Sequence, residues 1–444
     1  MPMTSAAATT SLVKQLTAAG MRPAAAAAAG QLAEQARVAL GRKPTHAWWI
    51  PGRIEVLGKH TDYAGGRSLV CPTDLGLVLV AAPRDDGRIT ISSAGETVEF
   101  PFTPELQPQA SWQLYPTTVA RRVARNFPSA RRGADLALAA NLPSGAGMSS
   151  SSALVVAVFT ALAALNGIAE TAEYRAAITT PEDLAGYLGC VENGQTFKSL
   201  VGDAGVGTFG GSEDHTAIVC GRAGHLSGFR FCPVSAESSA PLPSDVCFLI
   251  AVSGVVAEKT AAAKERYNRC ALLARDARDA WNKATGRHDA TLFAALTHGP
   301  EARTRVLDTM KKARHGAALA ERAEQFAVEA LDIIPAAVTA LARGDRSQFG
   351  ALVARSQDLA ERQLHNQVPE TSALVALATE HGALAASAFG AGFGGAVWAL
   401  VPAAQAGAIA DTWLTAYQRA FPQHRDAARV HAVAPGPSVT ALAV

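Results

Sequence analysis

Residues 52–66, GRIEVLGKHTDYAGG, gather Arg53, Lys59, His60 and Asp62 within fifteen positions that also hold four glycines. A guanidinium can stabilise charge on a group in transfer, while an imidazole and a carboxylate make hydrogen bonds of fixed direction to a polyol. The same loop reads equally as a solvated turn. A second stretch, LPSGAGMSSSSAL (142–154), places Gly145 and Gly147 ahead of four consecutive serines, where a long apolar run begins. A helix start of this kind offers unpaired N–H groups and partial positive charge to a phosphate chain, and a serine hydroxyl can ligate Mg²⁺. GxxxxGK[ST] occurs nowhere, so the loop is not a Walker A motif; the plainer alternative is a serine cap on a buried helix.

Two further stretches, VENGQTF (191–197) and GTFGGSEDHTAIVCG (207–221), supply Glu192, Glu213, Asp214 and His215. One carboxylate near a phosphate loop can hold Mg²⁺ and a second can accept a proton from an attacking hydroxyl. GGSEDH also reads as a polar turn before a strand, HTAIVC (215–220). In AFGAGFGGAVWAL (388–400), Gly390, Gly392 and Gly395 match GxGxxG, yet a strand-like segment follows them where a dinucleotide site needs a helix. A tight hairpin remains. His60 and Asp62 have no further ligands at metal spacing, and no Gly-x-Ser-x-Gly elbow supports a serine hydrolase.

The elements that must position these groups follow from periodicity. Strand-like runs occupy 46–50, 68–72, 77–83, 88–92, 135–143, 215–220, 228–234 and 246–253, with Asp-Gly turning the chain at 86–87. The apolar run 153–165 predicts a buried helix, and 260–284, 301–331, 335–344 and 370–381 have helical spacing. Strands at 396–402 and 428–435 enclose a helix at 403–420. The order predicts an α+β fold of two lobes: an Ala-rich helical extension at 1–42, a first domain at 43–225 and a second at 226–444, the division lying between about 221 and 245. Forty Lys and Arg against 38 Asp and Glu give a net charge of +2, which offers neither nucleic acid nor an anionic membrane as a main partner. The longest apolar run is too short to span a bilayer, and six scattered cysteines without a CxxC read as reduced thiols of a cytoplasmic protein.

In this order the motifs resemble the GHMP kinase superfamily, and within it the galactokinase family, from about residue 46 to about 435. GRIEVLGKHTDYAGG resembles the signature G-R-x-N-[LIV]-I-G-[DE]-H-x-D-Y, LPSGAGMSSSSAL the phosphate loop, GTFGGSEDHTAI the GxMDQ segment, and ASAFGAGFGGAVWAL the third, Gly-rich motif. The resemblance implies two α+β lobes with ATP and sugar meeting in the cleft between them. It implies Asp214 and Arg53 as catalytic residues, the first beside the attacking hydroxyl and the second beside the phosphoryl group. Lys59, His60, Asp62, Tyr63 and Gly211 fall at sugar-binding positions. Pro143, Gly145, Ala146, Gly147, Met148, Ser149, Ser150, Ser151 and Ser152 fall at nucleotide-binding positions, with Trp112, near Tyr115, at the adenine. Ser150 and Glu192 match the Mg²⁺ ligands.

The departures concern the substrate. The signature Asn is Glu55, and its acidic residue, which in galactokinases contacts the sugar near C6, is Lys59. A lysine there suits a carboxylate or phosphate better than a hydroxymethyl group; alternatively it faces solvent or pairs with Glu55. Met-Asp-Gln reads Glu213-Asp214-His215, and Tyr267 lies close to the family's sugar-contacting tyrosine without a clear match. The expectation is an ATP- and Mg²⁺-dependent kinase for the C1 hydroxyl of galactose or a related monosaccharide, neutral or acidic. The alternatives are a sugar- and ATP-binding regulator without turnover, or a superfamily kinase for another small alcohol.

Overall fold

A computed structural model describes residues 5–143, 145–256, 261–313 and 316–444. Twelve strands are present among them: β1 His46–Leu57, β2 Arg67–Arg84, β3 Arg88–Ser93, β4 Glu96–Pro101, β5 Gly133–Ala140, β6 His225–Arg230, β7 Ser235–Pro241, β8 Val246–Val252, β9 Ala385–Ala388, β10 Ala396–Pro402, β11 Arg429–Val433 and β12 Thr440–Leu442. The first sheet runs β12-β1-β2-β5-β3-β4, with the β6–β7 hairpin joined to β2; the second runs β11-β8-β10-β9. Only the β3–β5 pairing is parallel.

Strand alternation divides the first sheet between two covers. Trp48, Ile50, Leu77 and Leu79 face helices Leu114–Asn126, Ser150–Asn166 and Pro181–Asn193. Trp49, Val78 and Val80 face the N-terminal helices Ser5–Ala18 and Pro23–Leu40. The alanine-rich composition of the second helix has a packing reason: Ala26, Ala29, Ala33 and Ala36 are its fully buried face, and a Cβ at Gly30 would come within 2.9 Å of Val13. Small side chains let the two helices and the sheet approach closely.

The second sheet is packed on one face by helices Pro369–Glu380 and Ala406–Ala420, through Leu374, Trp413 and Tyr417. Its other face shares a core with β1 and β2, where Ile54, Val56 and Leu69 meet Phe248, Ile250 and Trp398. This common core sets the two sheets against each other. The helical run Gly316–Ala342 is long and apolar enough to cross a membrane, but 56% of its most apolar window is buried in the protein. It packs with helix Ala261–Thr285 around Trp281 and Phe326. All six cysteines are unpaired.

Three sequence expectations change. Residues 68–72 and 77–83 belong to one strand, β2. HTAIVC is not a strand but most of a helix, Glu213–Cys220; a six-residue apolar run fits either period, and the helix is decided by Glu213 and Asp214 in its first turn and by the Asp62 carboxylate, which accepts the Glu213 N–H at 3.0 Å. SAESSAP, inside the expected division at about 221–245, is a strand: β6–β7 extends the first sheet to Pro241, so a boundary at 225/226 would cut that hairpin off its sheet.

Candidate active site

Where the two sheets meet, β1, the loop after it, the serine-bearing helix start, helix Glu213–Cys220 and the β9–β10 turn enclose a cavity of about 230 Å³. Arg53 reaches it from β1, at an irregularity in the β1–β2 register. The β1 backbone also holds the phosphate-loop candidate, since Arg53 N donates to the Met148 carbonyl at 3.3 Å. Arg53 is 4% exposed; its Nε donates to Asp214 Oδ1 at 2.7 Å and its second nitrogen to the Gly147 carbonyl. Burial opposes the guanidinium charge, but Asp214, Glu55 and Glu213 outweigh it, and the group stays cationic.

Burial would push the Asp214 carboxyl up. Arg53, followed by the Ser149 hydroxyl, holds it below its ordinary value instead. About a third of that side chain is open to the cavity. Ser149, in the left-handed region at φ 60°, precedes helix Ser150–Asn166 and leads its N-terminus onto the same wall. The serine that touches Glu192 is Ser152, whose Oγ donates to Glu192 Oε2 at 2.9 Å and lies 3.4 Å from Asp214 Oδ2. His215 Nε2 stands 3.1 Å from the same Glu192 oxygen. Glu192, Ser150 and Ser152 all line the cavity, an all-oxygen set that fits a hard divalent cation. Pro143 and Ala146 do not line it: Ala146 is buried in the core shared by the two sheets, and Ser144 lies outside the described residues.

The sugar-loop residues divide. Arg322, on helix Gly316–Ala327, donates to the His60 carbonyl at 2.5 Å and to Tyr63 Oη at 3.1 Å; Tyr63 Oη meets His60 Nδ1 at 3.0 Å, and His60 Nε2 meets the Ala391 carbonyl at 3.1 Å. The last contact requires Nε2 to carry the proton, so Nδ1 accepts from Tyr63. Burial, opposed by the hydrogen bond to the Ala391 carbonyl and reinforced by Arg322 and Lys59, lowers the imidazole to about 4 and keeps it neutral. Asp62 accepts Tyr63 N on one oxygen and Glu213 N on the other. Gly211 is required at its position, because a Cβ would fall 2.3 Å from Asp62 Oδ2. Gly390 approaches from the other sheet with φ 78°, and a Cβ there would stand 3.2 Å from the Gly147 carbonyl.

Lys59 is not on the cavity wall, nor does it face solvent. It is 1% exposed, and its Nζ donates to Ser387 Oγ at 2.7 Å and Ser356 Oγ at 3.3 Å, away from the cavity. Trp112 is also off this wall; its Nε1 donates to Glu96 at 2.8 Å and its ring packs on the first-sheet core, as does Tyr115. Sequence reasoning left out several wall residues, among them Asn193, Lys264, Phe389 and Phe393, while Tyr267 stands there with its ring 5.1 Å from that of His60. Asn193 organises the wall by accepting from Thr208 Oγ1 and Gly210 N. Its adjacency to Glu192 was the available signal. Among the described residues the cavity carries five carboxyls, Glu55, Asp62, Glu192, Glu213 and Asp214, against two cations, Arg53 and Lys264.

Comparison with known proteins supplies the remaining context. Residues 37–83 match the galactokinase galactose-binding signature, 115–186 the GHMP kinases N terminal domain and 337–419 the GHMP kinases C terminal pattern. The chain is 30% identical over 402 residues to a galactokinase of Streptomyces coelicolor, covering 86% of this chain and 91% of that one. It is 28% identical over 373 residues to a galactokinase of Pasteurella multocida, covering 82% and 88%. In fold it is similar to Lactococcus lactis galactokinase complexed with galactose, with a TM-score of 0.73, 20% identity and coverage of 92% and 98%. A mevalonate kinase of L. major in complex with R-mevalonate gives a TM-score of 0.53 at 15% identity, covering 89% and 99%.

Proposed function

Because the chain belongs to the galactokinase family of GHMP kinases, a sugar kinase that uses ATP, we propose that it transfers the γ-phosphoryl group to the C1 hydroxyl of galactose, with Mg²⁺. The observation that carries the reading is convergence. Arg53, Asp214 and the serine-bearing helix start, which are far apart in sequence, face one cavity.

Phosphoryl transfer passes through a loose transition state, so position and charge stabilisation provide most of the acceleration. Arg53, desolvated and held by two acceptors, is aimed and needs little reorganisation to meet charge on the transferring group. Asp214 accepts a hydrogen bond from the attacking hydroxyl. A carboxylate held below its ordinary proton affinity is a weak base toward a free alcohol. It therefore orients the hydroxyl first and takes the proton late, once the new P–O bond has made that oxygen acidic. The N–H groups at the start of helix Ser150–Asn166 hold the phosphates.

A wall with five carboxyls repels a triphosphate unless cations intervene. Glu192 with Ser150 and Ser152 would hold Mg²⁺, which neutralises phosphate charge when bound. The same excess of carboxyls, with Lys59 turned away, favours a neutral sugar over an acidic one. The test is ADP release with a panel of neutral and acidic monosaccharides, followed by ³¹P–¹H correlation on the product. Galactose should be turned over with phosphorus coupled to the anomeric proton. A uronate preferred over galactose, or phosphate on another carbon, would overturn the assignment.

A further inference from the structure

Two departures from the family motifs meet in space. Glu55 stands where the signature has Asn, and Glu213 where the catalytic segment has Met. In the β1–β2 ladder Glu55 is opposite Val70, so Ser68 is its diagonal neighbour, and Ser68 Oγ donates to Glu213 Oε2. Ser68 thus brings the Glu213 carboxyl beside the strand position that carries Glu55, and each carboxyl acts on the other. They are 4% and 6% exposed, both on the cavity wall, and Glu55 Oε1 receives no donor among the described residues.

The groups facing them are few. From β1 comes Arg53, whose donors go to Asp214 and the Gly147 carbonyl. From the loop after β1 come Lys59, which donates to Ser356 and Ser387, and Asp62, engaged with two backbone N–H groups. From the helix comes Asp214 itself. Neither cation forms a direct ion pair with either glutamate among the described residues. Two ionised carboxylates side by side in such a place repel without a screening solvent; one proton between them removes the conflict.

We propose that Glu55 and Glu213 form a proton-sharing carboxyl pair that sets the charge behind Arg53 and so positions the Arg53–Asp214 clamp for phosphoryl transfer. The inference rests on the role given to Arg53 above. With one proton the pair carries a single negative charge beside Arg53. Loss of that proton to solvent leaves a second negative charge beside the guanidinium. Arg53 is then drawn from Asp214 and shielded from the phosphoryl group. Burial supports the picture: it is the main cause raising Glu55 to about 7 and Glu213 well above the carboxylate range.

The test combines infrared spectroscopy with pH–rate profiles on the full-length chain. Wild type should show a carboxylic-acid C=O band that disappears between about pH 6 and pH 9, and that Glu55→Gln or Glu213→Gln removes. In parallel, kcat of wild type should fall at least about tenfold over that window while KM for ATP holds, and Glu55→Gln should lose this alkaline limb. Absence of the band in wild type, or an alkaline limb unchanged in both variants, would overturn the pair. The infrared result is read without turnover, so it decides the pair even where sugar and ATP give no product, an outcome that would defeat only the kinase assignment. Absence of the band in wild type overturns the pair whether or not the variants fold, and the two substitutions assign a band that is present to Glu55 and Glu213 and not to Asp62, whose carboxyl burial also raises.

Discussion

Lys59→Glu restores the acidic residue of the family signature, and the structure predicts that it damages the protein without retuning it. The ammonium sits in a closed polar network. Ser356 Oγ, which accepts from Lys59, donates to Glu329 Oε1 at 2.9 Å, and Ser387 Oγ donates to Gln357 Oε1 at 3.0 Å. Each hydroxyl proton is thus already used, and a carboxylate at position 59 would find no donor in either. It would also bring a negative charge toward Glu329, which is fully buried, and Glu55. Removing one side of a buried charge arrangement costs about 3–5 kcal/mol, against a total stability of about 5–15 kcal/mol. With an m-value of about 3 kcal/mol/M, the urea midpoint should fall by at least about 1 M. Fluorescence of the six tryptophans reports the transition. The sugar panel completes the assay: the ratio of kcat/KM for neutral to acidic sugars should be unchanged in the folded enzyme. An unaltered midpoint together with a shift toward neutral sugars would refute the reasoning and put the ammonium in the cavity.

Other outcomes test the rest of the site. Asp214→Asn should lower kcat by about 10²–10⁴ with ATP affinity nearly intact by calorimetry; a parallel collapse of affinity would count against contact with the acceptor hydroxyl. Arg53→Lys keeps the charge but cannot serve both Asp214 and the Gly147 carbonyl in the same geometry, so kcat should drop by about 10²–10³ with the sugar KM little changed. His60, whose folded value near 4 lies below the ordinary 6.5, adds stability that is present above 6.5 and lost as pH falls toward 4. Imidazole NMR should therefore find this ring neutral at pH 7, and a ring titrating near 6.5 would contradict its burial between Tyr63 and Ala391.

Much of this was legible because it depends on local chemistry. Glycines beside serines, or an apolar run bounded by turn residues, carry their reasons within a few positions, and the helix starting at the serines and the β9–β10 hairpin formed as expected. What stayed hidden depends on partners distant in sequence. HTAIVC has no local reason to prefer a helix; Asp62, from the loop after β1, caps it. Lys59 looked like a specificity residue until the helix bearing Ser356 and the strand bearing Ser387 provided a buried seat for its ammonium. SAESSAP has the composition of a linker and becomes a strand because β6 offers it an edge. The alanine-rich start gave no hint of its task, since alanine's value here is the closeness it permits to a sheet formed later in the chain.

The last strand has a consequence for how the protein is made. β12 hydrogen-bonds to β1, with Leu442 opposite Ala47, and Asp74 on β2 joins Arg22 to the Ala434 backbone. The opening third of the polypeptide therefore cannot complete its sheet until residues 440–442 have been made. An emerging chain exposes the β1 edge, a template for mispairing, until residues 440–442 have emerged. Strain placed on residues 440–442 would therefore perturb a sheet nominally four hundred positions away.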